Sequence, residues 1–433
     1  MSPSAASAAQ SRPPIARGRQ APFRDVGLAF VALLAIVLVY RATVDLPLAI
    51  AAVVAVATAA QMHGRLAMGR WKAALLVAAA SGILVLAGAP PRLTVALLVG
   101  GLAGSELIAQ STRRSAVLLA GVWTGVATAT ALLAFVAGMG QPLDGAVARE
   151  ALGALAGGVL AVPLLQMLGP VLEWVFGHTT RLTMAEWLSF EHPLLRELAA
   201  KAPGTFQHSI NVGVLAASGT SAIGGDALLA HVGGLYHDVG KLRAPEYFIE
   251  NQQGPNPHDA LTPWDSARIL RAHVFEGIDL VRAHGMGDRI TAFVREHHGT
   301  GAMRLQREKA EAMGRPDSDG DAYRYPGPRP QSRETGVVMI ADQLDATARS
   351  APPADEAGCA EIVERTMVRI QGEEQLGDSG LSAGDLERLR AAFTKALVAM
   401  YHRRLTYPPS GAQAPPAARL PIVPRLFARS RSR

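Results

Sequence analysis

The 433-residue sequence predicts an all-α protein in two blocks: a six-helix transmembrane bundle followed by a cytoplasmic, all-helical domain. Three observations carry this. Apolar residues crowd into 26–176, and charge returns after Arg181. From Thr205 to about Arg404 the apolar spacing is helical, with little strand alternation. A series of His and Asp then falls on or at the ends of those predicted helices, beginning with His208 and an adjacent pair, His237-Asp238.

Composition bounds the chemistry. Apolar residues make up 49% and aromatics only 5%, which suits Ala/Leu/Val-rich membrane helices. Much of the formal charge of +6 comes from the two ends, Arg12, Arg17, Arg19 and Arg24, then Arg425, Arg429, Arg431 and Arg433. These read as membrane-proximal or disordered tails rather than a surface for DNA or RNA, so no nucleic-acid polymer is expected as partner. Cys359 is the single cysteine. No disulfide framework or thiolate site is available within one chain, so a metal would need imidazole and carboxylate.

Residues 1–24, rich in Ser, Ala, Pro and Arg, are expected to be disordered. No small-residue cleavage site follows the first apolar run, so no cleaved signal peptide is expected. Six apolar runs follow, at 26–40, 46–61, 73–90, 93–110, 116–138 and 150–176. About 20 apolar residues cross the hydrocarbon core, so 25–177 is assigned as a six-helix domain facing the lipid bilayer. Basic residues precede the first run and mark the second and fourth loops (Arg65, Arg70, Lys72; Arg113, Arg114). The odd loops are poorer in net positive charge. The positive-inside rule then places the N-terminus in the cytoplasm, and six crossings return the chain there. The expected location is the inner (plasma) membrane, multi-pass. Glu106 lies in the fourth run near Arg113-Arg114, where it either snorkels to the interface or serves transport or sensing.

Residues 178–204 read as an amphipathic linker helix marked by Leu182, Trp187, Leu188, Leu194, Leu195 and Leu198. Thr183 with Glu186 fits a capping box, and Pro203-Gly204 is expected to end the helix. The second domain covers 205–404, with helices at 206–222, 226–240, 262–284, 286–298, 333–351, 355–371 and 384–404. The segment 313–332, full of Pro, Gly and Asp, reads as a loop and a candidate lid. Residues 405–433, rich in Pro and Arg, are expected to be disordered.

The candidate metal ligands are His208, His237, Asp238, His273, His297, His298 and Asp342. Imidazoles with bridging carboxylates suit hard or borderline cations such as Mn, Fe or Zn. Two such ions hold a phosphoryl group and generate a nucleophile at neutral pH. An Asp beside a ligating His is placed to bridge them. Adjacent residues on a helix diverge by roughly 100°, so His297 and His298 should do different jobs, one on a metal and the other on a metal or the phosphate. Lys241, three residues past Asp238, is placed to offer a cation to a phosphate oxygen. The candidate catalytic residues are Asp238, Lys241 and His298. The remaining histidines, His63, His178, His192, His231, His258, His284 and His402, read as ordinary packed or exposed side chains.

The order H, HD-x-GK, H, HH, D is the signature of HD-domain metal-dependent phosphohydrolases. The stretches APGTFQHS (202–209), YHDVGKL (236–242), FIENQ (248–252), NPHD (256–259), HVFEGI (273–278), EHHGT (296–300), YPGPRPQS (325–332) and ADQLDATARS (341–350) go further. Together with the membrane block they resemble the seven-transmembrane HD family of bacterial cyclic di-AMP phosphodiesterases (PgpH-like). The resemblance implies a helical bundle and a dimetal centre, usually iron or manganese. It also implies hydrolysis of the cyclic dinucleotide cyclic di-AMP to linear 5′-pApA. Carried over, His208, His237, Asp238 and Asp342 would hold one metal, and Asp238 would bridge to a second with His273, His297 and His298. Members usually place one transmembrane helix and a large extracytoplasmic domain before six further helices. Here the six runs start near residue 26, so that sensor is expected to be missing. The GYP pattern of cyclic di-GMP phosphodiesterases does not follow His297-His298. The alternatives are hydrolysis of another nucleotide (cyclic di-GMP, pApA or a dNTP) and a membrane signalling protein that only binds nucleotide. A homo-oligomer is left open.

Overall fold

A computed structural model of the chain describes residues 21–43, 49–109, 114–314 and 322–401. Of the tail expected at 1–24, residues 1–20 lie outside the described residues and 21–24 are helical. The tail expected at 405–433, Arg113, His402 and the middle of the candidate lid also lie outside the described residues. The fold is helical throughout, and its only β-type pairing among the described residues is one isolated bridge, Ala302 with Arg324.

The apolar block holds six helices: α1 (Ala21–Thr43), α2 (Ala49–Met68), α3 (Arg70–Leu86), α4 (Pro91–Ile108), α5 (Arg114–Gly138) and α6 (Gly145–Phe176). Five are long and apolar enough to cross a membrane, and α3, at 17 residues, stops just short. At 1.5 Å per residue α3 still reaches roughly 25 Å, the low end of a spanning helix. The central α2 packs on α6, α4 packs on α5, and α5 on α6. Small residues let the backbones approach, because helices in lipid associate by close packing rather than by escaping water. A Cβ on Gly158 would stand 2.5 Å from the Gly121 carbonyl oxygen, and one on Gly157 would stand 2.6 Å from Val54. Outward-facing Leu, Val, Phe and Trp side chains are exposed, as a lipid-facing surface requires.

One end of the block gathers charge. Lys72 and His178 both bond Asp25, and Arg70 pairs with Glu106 at 3.1 Å. Glu106 therefore meets a cation at the end of its helix. At the opposite end Arg92 grips Glu150 through two bonds of 2.7 and 2.8 Å.

The expected single linker helix is two helices, α7 (Arg181–Trp187) and α8 (Pro193–Lys201). Thr180, rather than Thr183, caps α7, and the Thr183 hydroxyl instead donates to Glu173. Pro193 opens α8, and Pro203 opens the next helix instead of only closing the last. Proline fits a first helical turn because its missing N–H is not needed there.

The second domain follows with α9 (Pro203–Ala222), α10 (Ala227–Tyr236), four short 3₁₀ turns between Val239 and Ala260, α11 (Pro263–Ala283), α12 (Asp288–Glu296), α13 (Arg304–Ala312), α14 (Arg333–Ser350), α15 (Glu356–Gly372) and α16 (Ala383–Tyr401). One continuous apolar core runs from Met184 in the linker through Val212, Tyr236, Phe293 and Ile340 to Leu397. The linker is thus part of this core, and the Tyr236 hydroxyl donates to the Trp187 carbonyl at 2.9 Å. In the candidate lid, the described residues 322–332 are tied down: Tyr325 N–H donates to Gly301 O at 3.0 Å and Gln331 N–H to Glu296 at 2.9 Å.

Candidate metal centre

The site forms where helices end or cross. His208 sits on α9 and Asp342 on α14. His237 and Asp238 stand where α10 unwinds into the 3₁₀ turn Val239–Arg243. His273 projects from α11, and His297-His298 follow the last turn of α12. The unwinding needs glycine, since a Cβ on Gly240 would lie 1.8 Å from the His273 carbonyl oxygen.

All seven sequence-predicted ligands come together. Their donor atoms form two groups, His208, His237 and Asp342 in one and Asp238, His273, His297 and His298 in the other, each within 4.8 Å. Asp238 faces both. Its Oδ2 is 3.3 Å from His237 Nε2 and 3.6 Å from His208 Nε2, while its Oδ1 is 3.5 Å from both His273 Nε2 and His297 Nε2. Asp342 Oδ1 lies 3.0 Å from His208 Nε2, and its Oδ2 lies 3.8 Å from His298 Nδ1. Six of the seven are buried, and only the His298 side chain, 22% exposed, opens substantially to solvent. The other described histidines fall in neither group.

Hydrogen bonding fits the donors to a cation. His237, His273 and His297 each donate Nδ1–H to a backbone carbonyl, of Gly234, Leu270 and Val294 respectively. That commits each Nδ1–H to a carbonyl and aims each Nε2 into the cluster. His273 Nε2 and His297 Nε2 then face each other at 3.2 Å. With each Nδ1 already donating to a carbonyl, the two Nε2 atoms converge where a shared cation could take both. His237 Nε2 and Asp238 Oδ1 are buried with no hydrogen-bond partner. Buried polar atoms are rarely left so, and both are donors that a metal would take.

The electrostatics agree for Asp238, Asp342, His273 and His298. Burial raises the Asp238 carboxyl, but Lys241 and His237 hold it well below its usual range. Asp342 is held down likewise, against burial, by hydrogen bonds from His208 and His237. Both carboxylates are therefore charged. Burial drives His273 down to about 3, and burial with the neighbouring His297 holds His298 well below 6.5. Those two rings are neutral and free to ligate. His237 goes the other way, since Asp238 and Asp342 overcome burial and carry it up to about 10.

Sequence reasoning passes over three neighbours. Asp345, fully buried, accepts from His208 Nδ1 at 2.7 Å and from Asn211 at 2.9 Å, fixing the ring that points at Asp342. Glu250 accepts from Lys241 at 2.7 Å, and Lys241 bonds Asp238 at the same distance. Tyr325 stacks on His298 with ring centroids 4.0 Å apart. Asp345 has a signal in the sequence, three residues after Asp342 on one helix, while Glu250 and Tyr325 stand in motif stretches without any mark of their contacts. The cluster forms the floor of a cleft of about 1080 Å³, walled by Tyr247, Phe248, Leu270, Arg304 and Arg349 among others.

An all-helical domain with a buried His/Asp cluster in the order H, HD, H, HH, D, read along α9 to α14, is of the HD class. The comparisons agree in both blocks. Residues 205–347 match the HD domain family, and residues 13–180 match the family described as 7TM receptor with intracellular HD hydrolase. The chain is 33% identical over 318 residues to the cyclic-di-AMP phosphodiesterase PgpH of Listeria monocytogenes, covering 73% of this chain and 44% of that one. It is 29% identical over 313 residues to PgpH of Bacillus subtilis, covering 72% and 44%. A crystal structure of the L. monocytogenes PgpH HD domain in complex with cyclic-di-AMP is 35% identical, with 50% of this chain and all of that one covered at a TM-score of 0.47. The chain spans under half the length of these curated relatives. It resembles the seven-transmembrane HD proteins on both sides of its linker.

Proposed function

We propose that this chain is a membrane-anchored, metal-dependent phosphodiesterase that hydrolyses cyclic di-AMP to linear 5′-pApA on the cytoplasmic face of the plasma membrane. The observation that carries it is Asp238, a buried carboxylate whose two oxygens face two separate groups of donors. Residues 25–177 anchor the protein, 178–204 join the blocks, and 205–404 do the chemistry. The end of the apolar block that carries Arg65, Arg70 and Lys72 also meets the linker and the second domain, where Arg24 pairs with Asp288. Basic loops favour the cytoplasm, which is where a cyclic dinucleotide would be met.

His208, His237 and Asp342 would hold one cation and His273, His297 and His298 the other, with Asp238 shared. Two divalent ions, Mn or Fe as the family resemblance implies, would supply Lewis acidity toward a phosphoryl oxygen and a nucleophilic water at neutral pH. The protein's own groups supply the rest. Lys241 offers an ammonium to charge developing on the phosphate, and Glu250 and Asp238 fix its direction. Against burial, Asp238 and Glu250 raise its pKa, so that cation does not lose its proton. His298, opening to the cleft and stacked on Tyr325, is placed to touch metal or phosphate. The curated PgpH relatives and the cyclic-di-AMP complex support this substrate.

The test is turnover by the full chain in membranes with Mn or Fe, offering cyclic di-AMP and cyclic di-GMP. The wild type should release pApA and leave cyclic di-GMP intact or slow. The double variant His237→Ala/Asp238→Ala should insert normally and show no turnover. Hydrolysis retained in that variant sinks the proposal.

A further inference from the structure

Beyond the metal groups, one wall of the cleft is a single face of α14. Asp342, Ala346 and Arg349 all line it, and residues at i, i+4 and i+7 share a helix face. Arg349 therefore lies roughly 10 Å along the axis from Asp342, at 1.5 Å per residue. Helical side chains lean toward the N-terminus, which brings the guanidinium back toward the metal groups. Its contact with Asp345, at 3.8 Å, shows that lean.

The other cations on the cleft wall have partners. Lys241 is held by Asp238 and Glu250, Arg304 pairs with Glu373, and Arg369 donates to Gln343 at 2.9 Å. Lys309 stands 3.6 Å from Asp259 across the cleft. Asp345 holds Arg349 less closely, at 3.8 Å, than it holds His208 at 2.7 Å and Asn211 at 2.9 Å. Among the described residues, 3.8 Å is the nearest carboxylate approach to Arg349. A guanidinium carries five N–H donors in a planar fork that matches a phosphate. Here that fork stands one imidazole and one carboxylate away from the place where a phosphodiester would be cut.

Resting on the function proposed above, we propose that Arg349 binds the second phosphate of the substrate, the one not being hydrolysed, and so selects compounds with two phosphates a ribose apart over simple phosphodiesters. Holding that phosphate orients the ring so that the other diester meets the metal groups.

The experiment compares the full chain with Arg349→Gln and Arg349→Lys, in membranes with Mn, on cyclic di-AMP and on bis(p-nitrophenyl) phosphate, which has a single phosphate. Metal content is measured in each preparation. In Arg349→Gln the KM for cyclic di-AMP should rise about tenfold or more while kcat stays within about twofold. Its kcat/KM for bis(p-nitrophenyl) phosphate and its metal content should match wild type, and Arg349→Lys should recover part of the KM. An unchanged KM in Arg349→Gln overturns the inference. Equal losses on both substrates, or lost metal, also overturn it, since Arg349 would then act through Asp345 and His208 on the metal groups. A wild type that cuts only bis(p-nitrophenyl) phosphate overturns the choice of substrate and this subsite with it.

Discussion

At the scale of single residues, the centre depends on side chains that would never touch a substrate. Asp345 fixes the His208 ring through a 2.7 Å bond, and such orienting carboxylates are worth roughly 10–100-fold in metal affinity. Asp345→Asn should fold, retain about that much less metal after dialysis against a chelator, and lose turnover in proportion. Metal retention equal to wild type would remove Asp345 from the centre. Gly240 acts through what it lacks. With 1.8 Å between an added Cβ and the His273 carbonyl oxygen, Gly240→Ala has to move either α11 or the turn that carries Asp238. Overpacking of this kind costs about 1–3 kcal/mol, and chemical denaturation of the variant should show a loss in that range. The seven donors were legible because their residue types and order are unusual on helices. The spacing of Asp345 after Asp342 was legible too, but its bond to His208 was not, since only the packing of α9 on α14 turns that carboxylate toward the ring.

At the scale of elements, α14 carries both Asp342 and Asp345, so its start matters. Ser332 and Thr335 form a reciprocal capping box there. Ser332→Ala should cost about 1 kcal/mol, read as a lower unfolding midpoint, while the metal groups stay in place. Most helix limits in the second domain follow the apolar spacing closely, because those helices bury one face in a common core. The exceptions are α10, which stops at Tyr236 short of the expected 240, and α13, which packs in a separate small cluster through Ala310 and was not expected. The linker does not follow, because proline in a sequence marks both the end of one helix and the beginning of another. Pro193 and Pro203 do the latter. The membrane helices are governed differently. Gly158 lies against Gly121 and Gly125 with no room for a side chain, yet in the sequence it is one small residue among many.

At the scale of the whole molecule, ion pairs and caps join elements far apart in sequence. Arg24 reaches Asp288, and Arg181 reaches Asp226 at 2.9 Å. Asp385 accepts from Ser382 and Arg388 at the start of α16 and from Arg333 at the start of α14, and Arg333 also donates to Ile223 O at the end of α9. These bonds, that of the Ser382 backbone foremost, hold the Asp385 carboxyl below its usual range. A carboxyl lowered by folding adds stability above its unfolded pKa, near 3.9, and loses it as pH falls through the lower folded value. Asp385→Asn should therefore melt below wild type at pH 7, and the gap should close as both are taken below about pH 4. A gap that is constant with pH would assign the loss to packing instead.

What the sequence by itself determined is the local part. Apolar run lengths set the membrane helices, helical spacing set the second domain, and the His/Asp order marked the donors, because each depends on residues near one another along the chain. Only the tertiary structure decided how those donors divide. It set one oxygen of Asp238 toward each group, held Lys241 between Asp238 and Glu250, and left Arg349 with a single long contact on the cleft wall. Such relations, like the His208–Asp345 bond between residues 137 positions apart, are fixed by which helix faces which across a shared core.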